Sequence, residues 1–361
     1  MVIFAVLAIY LFLVDVFIDS GKRGAKSLLS AMGFVLLLAL RSPYCGVDLL
    51  SGGSYIGASY WGTFVEMQSI KIVDLVSFST SSHFEIGFLF LTKIITLFTW
   101  DFQIYLTILA LLQFIPIAYI FYKYSANIVF SYFIFAGLGF FVFYFSGLRQ
   151  ALAMSITLLA MDKFYNRNIK AFIAYTIFAS VFHISAVVFV LLWPISKLKL
   201  RFSSAIIILV VIALLIPLYN RLGQDVVSLL FGGNKYSNYF DNSGVAITMY
   251  VVYGLIFLFS FIIKRKDDYI MILRSLALLG VVCQSLGSIS TGAITRIGYY
   301  FSFFFSLLIP EIVLVVDKSK MTRNVVVFGA MMLLCIFFYL TTKDGYLDVV
   351  PYNFFWERPL I

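Results

Sequence analysis

The chain has 361 residues, of which 62% are hydrophobic and only 12% charged. Soluble domains sit near half apolar and a quarter charged, so this composition excludes an ordinary soluble enzyme. The net charge of +9 would suit nucleic acid, but the cations gather in short loops between apolar runs, which is the positive-inside pattern of a membrane protein, so no nucleic-acid partner is expected.

Apolar runs of about 18 or more residues recur along the chain and predict an all-α, polytopic integral membrane protein. We expect about nine to twelve membrane segments, some re-entrant or broken, in a single membrane-embedded domain over residues 1–361. The runs are continuous rather than alternating, which argues against a β-barrel. Cys45, Cys283 and Cys335 are scattered with no CxxC pair, and the two histidines stand alone. No metal centre is expected from that pattern.

Residues 2–18 read as a first span running inward, because Lys22, Arg23 and Lys26 follow it and nothing basic precedes it. Residues 27–41 return outward and end at Arg41. Residues 43–82 form an outer segment, broken early by Pro43 and Gly52-Gly53. Within it Trp61, Phe64, Val65, Ile72, Leu75 and Val76 share one helical face. That face fits a helix lying on the outer membrane surface or an ordinary packed loop helix. Residues 84–99 read as a third span, Trp100-Asp101 as a tight turn, and 102–122 as a fourth span with a kink at Pro116.

That count puts Lys123 outside, whereas Lys163, Arg167 and Lys170 belong inside. Residues 126–163 must therefore cross an odd number of times. The expectation is that 126–145 dips in and returns, with a break at Ser146-Gly147, and that 149–163 crosses inward. Broken helices are tolerated where they line a watery cavity. Residues 169–197 are basic at both ends and read as a re-entrant hairpin with His183 at its crest; the rival is one tilted helix with Lys197 outside. Spans near 202–218, 246–263, 269–287, 298–316 and 324–341 then alternate. They leave outside a loop at 219–244, which carries Arg221, Asp225, Lys235 and Asp241, the Ser288–Arg296 loop, and a tail at 342–361, where Pro351, Tyr352, Trp356 and Arg358 suit the headgroup level.

On this topology Arg41, Asp48, Glu85, Arg149, His183 and Arg296 all fall toward the outer face. Each has a bland alternative. Arg41 and Arg296 could snorkel from span ends, Asp48 could be a loop residue or a cap, Glu85 could cap a helix start, and His183 could be a satisfied core residue. Arg149 is the hardest to dismiss. The runs Tyr132 to Phe145 and Ala151 to Met161 carry no charge, and a charge between two such runs is a functional site by default. Three arginines on one face suit a phosphate or diphosphate, which guanidinium holds bidentately. A neutral histidine or a carboxylate can take a proton from a hydroxyl nucleophile. Tyr55, Tyr60, Trp61, Tyr299 and Tyr300 can face sugar rings. Guanidinium alone serves a diphosphate, so neither a metal nor a cofactor is demanded. No GxSxG, P-loop, HExxH or dinucleotide-binding glycine loop is present.

Two other classes compete with sugar transfer. A flippase or transporter for lipid-linked oligosaccharides also needs broken helices and buried cations, but would expose them along a path to both faces. A membrane O-acyltransferase would use His183, but the arginines fit it poorly.

An ordered set of short motifs resembles one family. Arg41…Gly46-Val47-Asp48…Tyr55, Phe84-Glu85-Ile86-Gly87-Phe88, Ser146-Gly147-Leu148-Arg149-Gln150-Ala151-Leu152-Ala153, Phe182-His183-Ile184-Ser185-Ala186, Arg296…Tyr299-Tyr300 and Pro351-Tyr352 are similar to the EpsG family. These are Wzy-like polymerases of bacterial exopolysaccharide, capsule and O-antigen. The likeness runs nearly end to end, and departs from the family's pattern at Val47, Ile86 and His83. It implies a metal-independent glycosyltransferase of GT-C-like architecture in the bacterial cytoplasmic (inner) membrane, with its active site facing the periplasm or exterior. The growing glycan on undecaprenyl diphosphate would be passed to the non-reducing end of a lipid-linked repeat unit. The implied partners are that lipid-linked oligosaccharide, the bilayer, a chain-length regulator and a flippase. Carried onto this chain, Arg149 and Arg296 would clamp the diphosphate with Arg41 assisting, and Gln150 and Tyr299 would join the substrate-binding set. His183 would be the base or would orient the acceptor. Asp48 and Glu85 would organise the arginines or bind sugar hydroxyls, with His183 against Asp48 as base left open.

Overall fold

The computed structural model describes residues 1–50, 59–82, 84–215, 243–287, 293–316 and 319–357. Gly52-Gly53, Tyr55, His83, the charges of the 219–244 loop, Lys318 and Arg358 lie outside the described residues. Among the described residues there is no β-strand, only an isolated bridge between Arg41 and Phe354. The helices in chain order are α1 (Val2–Phe17), α2 (Arg23–Ala39), α3 (Tyr60–Ser69), α4 (Leu75–Ser81), α5 (Ile86–Thr96), α6 (Phe102–Tyr124), α7 (Ile128–Gly137), α8 (Phe140–Ser146), α9 (Leu148–Tyr165) and α10 (Ile169–Phe182). There follow α11 (Leu192–Ser196), α12 (Phe202–Leu215), α13 (Ser243–Phe259), α14 (Asp268–Gly287), α15 (Ala293–Ser302), α16 (Phe305–Val316) and α17 (Lys320–Thr342). The protein is an all-α polytopic membrane protein. Phe102–Tyr124, Asp268–Ser285, Arg296–Val315 and Met321–Thr342 are each long and apolar enough to cross a membrane, and the bent pair α7–α8 makes a further candidate.

The chain divides into two compact units, residues 1–187 with 324–361, and residues 188–323. In the first, polar side chains start the helices. Asp101 accepts from the Gln103 and Ile104 amides at 2.7 and 3.2 Å, and Asn127 accepts from the Phe130 amide at 3.1 Å. Such caps satisfy amides that have no partner inside the helix. An aromatic core joins α2, α6, α7 and α8. Phe34, fully buried, stacks on Phe114 and Tyr132 and meets Phe141 edge-on at 4.7 Å.

This unit has two polar ends. At the basic end Arg23 donates to the Tyr122 and Ser125 carbonyls at 2.7 and 2.8 Å. Beside them Lys123 Nζ and the Tyr124 hydroxyl each reach Asp162 Oδ1 at 2.6 Å. At the other end Gln103 donates to the Ala39 and Arg41 carbonyls, and the Val47 amide donates to Ser146 Oγ at 3.1 Å.

These contacts overturn the expected parity. Lys123 lies at the same end as Arg23 and Lys163, not across from them. The error enters at residues 84–99. They hold only the 11-residue α5, which rises about 16 Å against a hydrocarbon core of about 30 Å. Its far end stays near the site end: Lys93 Nζ donates to the Met67 carbonyl of α3 at 2.8 Å, and Thr96 Oγ1 reaches the same oxygen at 3.3 Å. The next helix, α6, then starts beside Arg41. Residues 126–145 consequently do not dip and return. The α7–α8 pair runs the length of α2, from Tyr132 on Ser27 to Phe145 beside Arg41, with a 63° bend. Gly139 supplies that bend at φ +85°, a conformation that favours glycine.

The outer segment is also more packed than its apolar face implies. It breaks after Ser69 into α3, a short 3-10 turn at Ile72–Asp74, and α4. Phe64 and Leu75 are buried in a cluster with Phe88, Phe102 and Tyr105, while Val65, Ile72 and Val76 remain exposed.

In the second unit Phe189 stacks on Phe301 and Phe304, and Tyr253 lies 4.6 Å from Phe305. Arg274 on α14 donates to the Ser260 and Ile263 carbonyls at 2.8 and 2.7 Å. It thereby serves backbone acceptors left open where the α13 segment ends.

Candidate functional site

The site is built at the first turn of α9. Gly147 ends α8 and precedes α9, so Arg149 is the second residue of a helix whose leading amides are unpaired within it. The guanidinium lies over the Phe84 ring at 4.4 Å. Arg149 Nη1 meets Glu85 Oε2 at 2.6 Å. The other carboxylate oxygen, Oε1, meets His183 Nδ1 at 2.6 Å and accepts from the Ile184 amide at 3.2 Å. Arginine, glutamate and histidine thus form one line, although 98 residues separate Glu85 from His183.

Each side chain reaches that line for a local reason. Glu85 sits at the N-cap position of α5 but its side chain makes no cap bond there, which leaves the carboxylate for Arg149 and His183. His183 ends α10 with extended backbone, where an otherwise apolar helix breaks as expected. Gly87 lets the two elements approach, because a Cβ there would lie 2.6 Å from the Val181 carbonyl oxygen. Tyr60 opens α3 and accepts from the Arg149 amide at 3.3 Å.

The cluster is partly exposed. Side-chain exposure is 20% for Arg149, 19% for Glu85 and 24% for His183. Burial pushes the Glu85 carboxyl up, but the His183 hydrogen bond and the Arg149 charge outweigh it and bring the carboxyl down to about 2. Glu85 is therefore ionised at neutral pH, which favours the imidazole tautomer that carries its proton on Nδ1. In neutral imidazole Nε2 is then the acceptor.

The other candidate residues stand differently. The Asp48 carbonyl accepts from the Tyr60 amide at 3.1 Å, and its carboxylate acts electrostatically on the Tyr60 hydroxyl. Asp48 therefore adjoins Arg149 through one tyrosine. Gln150 is buried on α9. Arg41 is 1% exposed, with Nη1 3.4 Å from the Tyr144 carbonyl and its guanidinium 4.9 Å from the Phe145 ring. Among the described residues no carboxylate pairs with Arg41, and its Nε has no hydrogen-bond partner. It is not a snorkelling residue. Arg296 is exposed and Tyr299 half-buried on α15 of the second unit.

Two aromatic residues expected to face sugars do not. Tyr60 is 4% exposed and Tyr300 is 1% exposed; Tyr60 instead holds the start of α9. Phe84 was not expected as the ring beneath the guanidinium, although its place next to Glu85 was the available signal. Among the described residues no three His, Cys, Asp or Glu side chains gather as ligands for a metal ion.

A family model described as EpsG family matches residues 28–354 of the chain. No curated protein and no solved structure matches it.

Proposed function

Because the chain belongs to the EpsG family, we propose that it is a polysaccharide polymerase, a glycosyltransferase of GT-C-like architecture acting on lipid-linked glycans. The observation that carries this reading is the partly exposed line Arg149–Glu85–His183. It pairs a cation for a phosphate leaving group with a carboxylate-oriented imidazole for a hydroxyl nucleophile. The donor is a growing glycan on undecaprenyl diphosphate, and the acceptor is the non-reducing sugar of a second lipid-linked repeat unit.

In the transfer step an acceptor hydroxyl oxygen attacks the anomeric carbon of the donor. The bond from that carbon to the diphosphate oxygen breaks, and its electron pair leaves on the diphosphate. Arg149 stabilises the charge that grows there, an electrostatic contribution of the oxyanion-hole type. The hydroxyl proton passes to His183 Nε2, and Glu85 holds the resulting imidazolium through Nδ1. Glu85 acts through the other two residues and is a positioning group. Asp48 is the rival base, and otherwise binds sugar hydroxyls beside Tyr60. Arg41 and Gln150 join the substrate-binding set in this reading, and Arg296 and Tyr299 are substrate-binding residues of the second unit.

The site faces away from the cytoplasm of the bacterial inner membrane. Supporting that orientation, Arg23, Lys123 and Lys163 gather at the opposite end of the first unit, as the positive-inside rule requires of the cytoplasmic end. The test is Arg149→Lys in membranes supplied with lipid-linked repeat units, read as glycan length. Lysine keeps the charge but not the bidentate fork, so polymer should fall by about 100-fold or more at unchanged protein level, with single repeat units accumulating on exported lipid. Wild-type length from that variant would remove Arg149 from the chemistry.

A further inference from the structure

The first unit contains a cavity that the site above does not use. It has a volume of about 350 Å³, is partly open and lies among α1, α7, α8 and α17. Ala5, Ala8 and Gly137 hollow it, and Phe133, Phe141 and Phe338 wall it. Phe4 and Phe141 line the cavity, and both rings touch Phe145, at 6.3 and 5.1 Å. The Arg41 guanidinium also lies against Phe145, 4.9 Å from its ring. One aromatic ring therefore separates an apolar cleft from a buried cation with no paired carboxylate. Placing an isolated ion in such surroundings is costly, by several kcal/mol even after relaxation, and an anion would offset the cost.

We propose that this cleft holds the prenyl chain of the lipid-linked substrate, with Arg41 receiving its phosphate end. The inference rests on the polymerase reading for the identity of the lipid. Charge complementarity names the head, and the predominantly apolar lining names the tail. The position of the cation selects the lipid class. Arg41 is 1% exposed, so a head must reach it through the Phe4–Phe145–Tyr352 wall. A linear single-chain phosphate ester can do that with its chain lying in one cleft. A glycerophospholipid brings two chains to the same point. The α7–α8 bend at Gly139 and the α8 residues Tyr144 and Phe145 would pass the head toward the start of α9, where Arg149 lies.

Cys335 lines the cleft and serves as its reporter, with Cys283 on α14 of the second unit as internal control. The full chain in nanodiscs is alkylated with a maleimide, and each cysteine is followed by peptide mass spectrometry. Long-chain polyprenyl phosphate should slow alkylation of Cys335 at least about fivefold and leave Cys283 unchanged, whereas phosphatidylglycerol at the same mole fraction should protect neither. Ala8→Phe, which fills the cleft, should abolish the protection by polyprenyl phosphate. Arg41→Lys should weaken it, and Arg41→Gln should remove it in preparations whose thermal unfolding matches the parent.

Equal protection by phosphatidylglycerol would mark ordinary bilayer contact and overturn the proposal. So would the absence of protection, or protection that survives both Ala8→Phe and Arg41→Gln. This readout is binding, not polymer. Protection of Cys335 together with unchanged glycan length in cells lacking the chain would sink the polymerase reading and leave the lipid cleft standing.

Discussion

Two acids of the first unit are each held by several donors, and they lie at opposite ends. Asp162 takes Lys123, Tyr124 and Lys163, and its side chain is 2% exposed. Glu85 takes Arg149, His183 and the Ile184 amide, and is 19% exposed with partners open to a similar degree. The ion-pair distances are alike at 2.6 Å. What differs is access. At the Asp162 end the carboxylate is sealed beneath donors that fasten α6 to α9. At the Glu85 end the imidazole and guanidinium side chains keep 24% and 20% of their surface exposed. Two acids with near-identical bonding therefore point to different roles, and exposure separates them better than partner count.

The sharpest way to break this contrast is His183→Gln. The amide can keep a bond to Glu85 but cannot take a proton. Polymer formation per molecule should fall by about 100-fold or more, the range lost with a general base, with little change in thermal stability. A variant that polymerises normally would leave Asp48 as the base.

Asp162→Ala should show the reverse pattern. Deleting a sealed acceptor costs about 1–3 kcal/mol, read as a lower unfolding midpoint in detergent. The activity of the surviving folded fraction should match the parent. Equal loss of activity and stability at both ends would erase the distinction drawn above.

Glu85→Gln sharpens it through pH. The Glu85 carboxyl lies at about 2 in the folded protein against an ordinary value of 4.5. Its folded value is depressed, so its contribution is fully present above about 4.5 and is lost as pH falls through about 2. The parent should exceed Glu85→Gln in stability at neutral pH, and the two unfolding midpoints should converge on acidification between those values. A gap that stays constant down to pH 2 would mean that Glu85 is not held by Arg149 and His183. The smallest effect is expected from Tyr60→Phe, which removes one hydrogen bond to the α9 amide. It should cost about 1 kcal/mol and a few-fold in rate, seen in transferred sugar per molecule.

Much of the site was legible because charge is scarce in this chain. Arg149, Glu85 and His183 stood out against long apolar runs, and the breaks at Gly147 and His183 coincide with helix ends. Their mutual contact was not legible, since no local pattern joins residues 98 apart. The topology failed at one place for a definable reason. The run at 84–99 is apolar enough to pass as a span, but hydropathy does not report that Lys93 and Thr96 turn back onto the end of α3. One miscounted crossing then moved Lys123 to the wrong side and forced a spurious dip on 126–145. Burial of Tyr60 and Tyr300 was equally hidden, because a tyrosine that stacks on a sugar and one that fastens a helix start have the same local sequence.

The short α5 has a further consequence. The described residues between the end of α2 and the start of α6 leave and rejoin the bundle at one face. Such a block can be lengthened, trimmed or exchanged without reversing the direction of any later helix. The part of the chain that supplies Asp48, Tyr60 and Glu85 is thereby uncoupled from the threading of the rest, so it can be rebuilt without re-routing the chain through the bilayer.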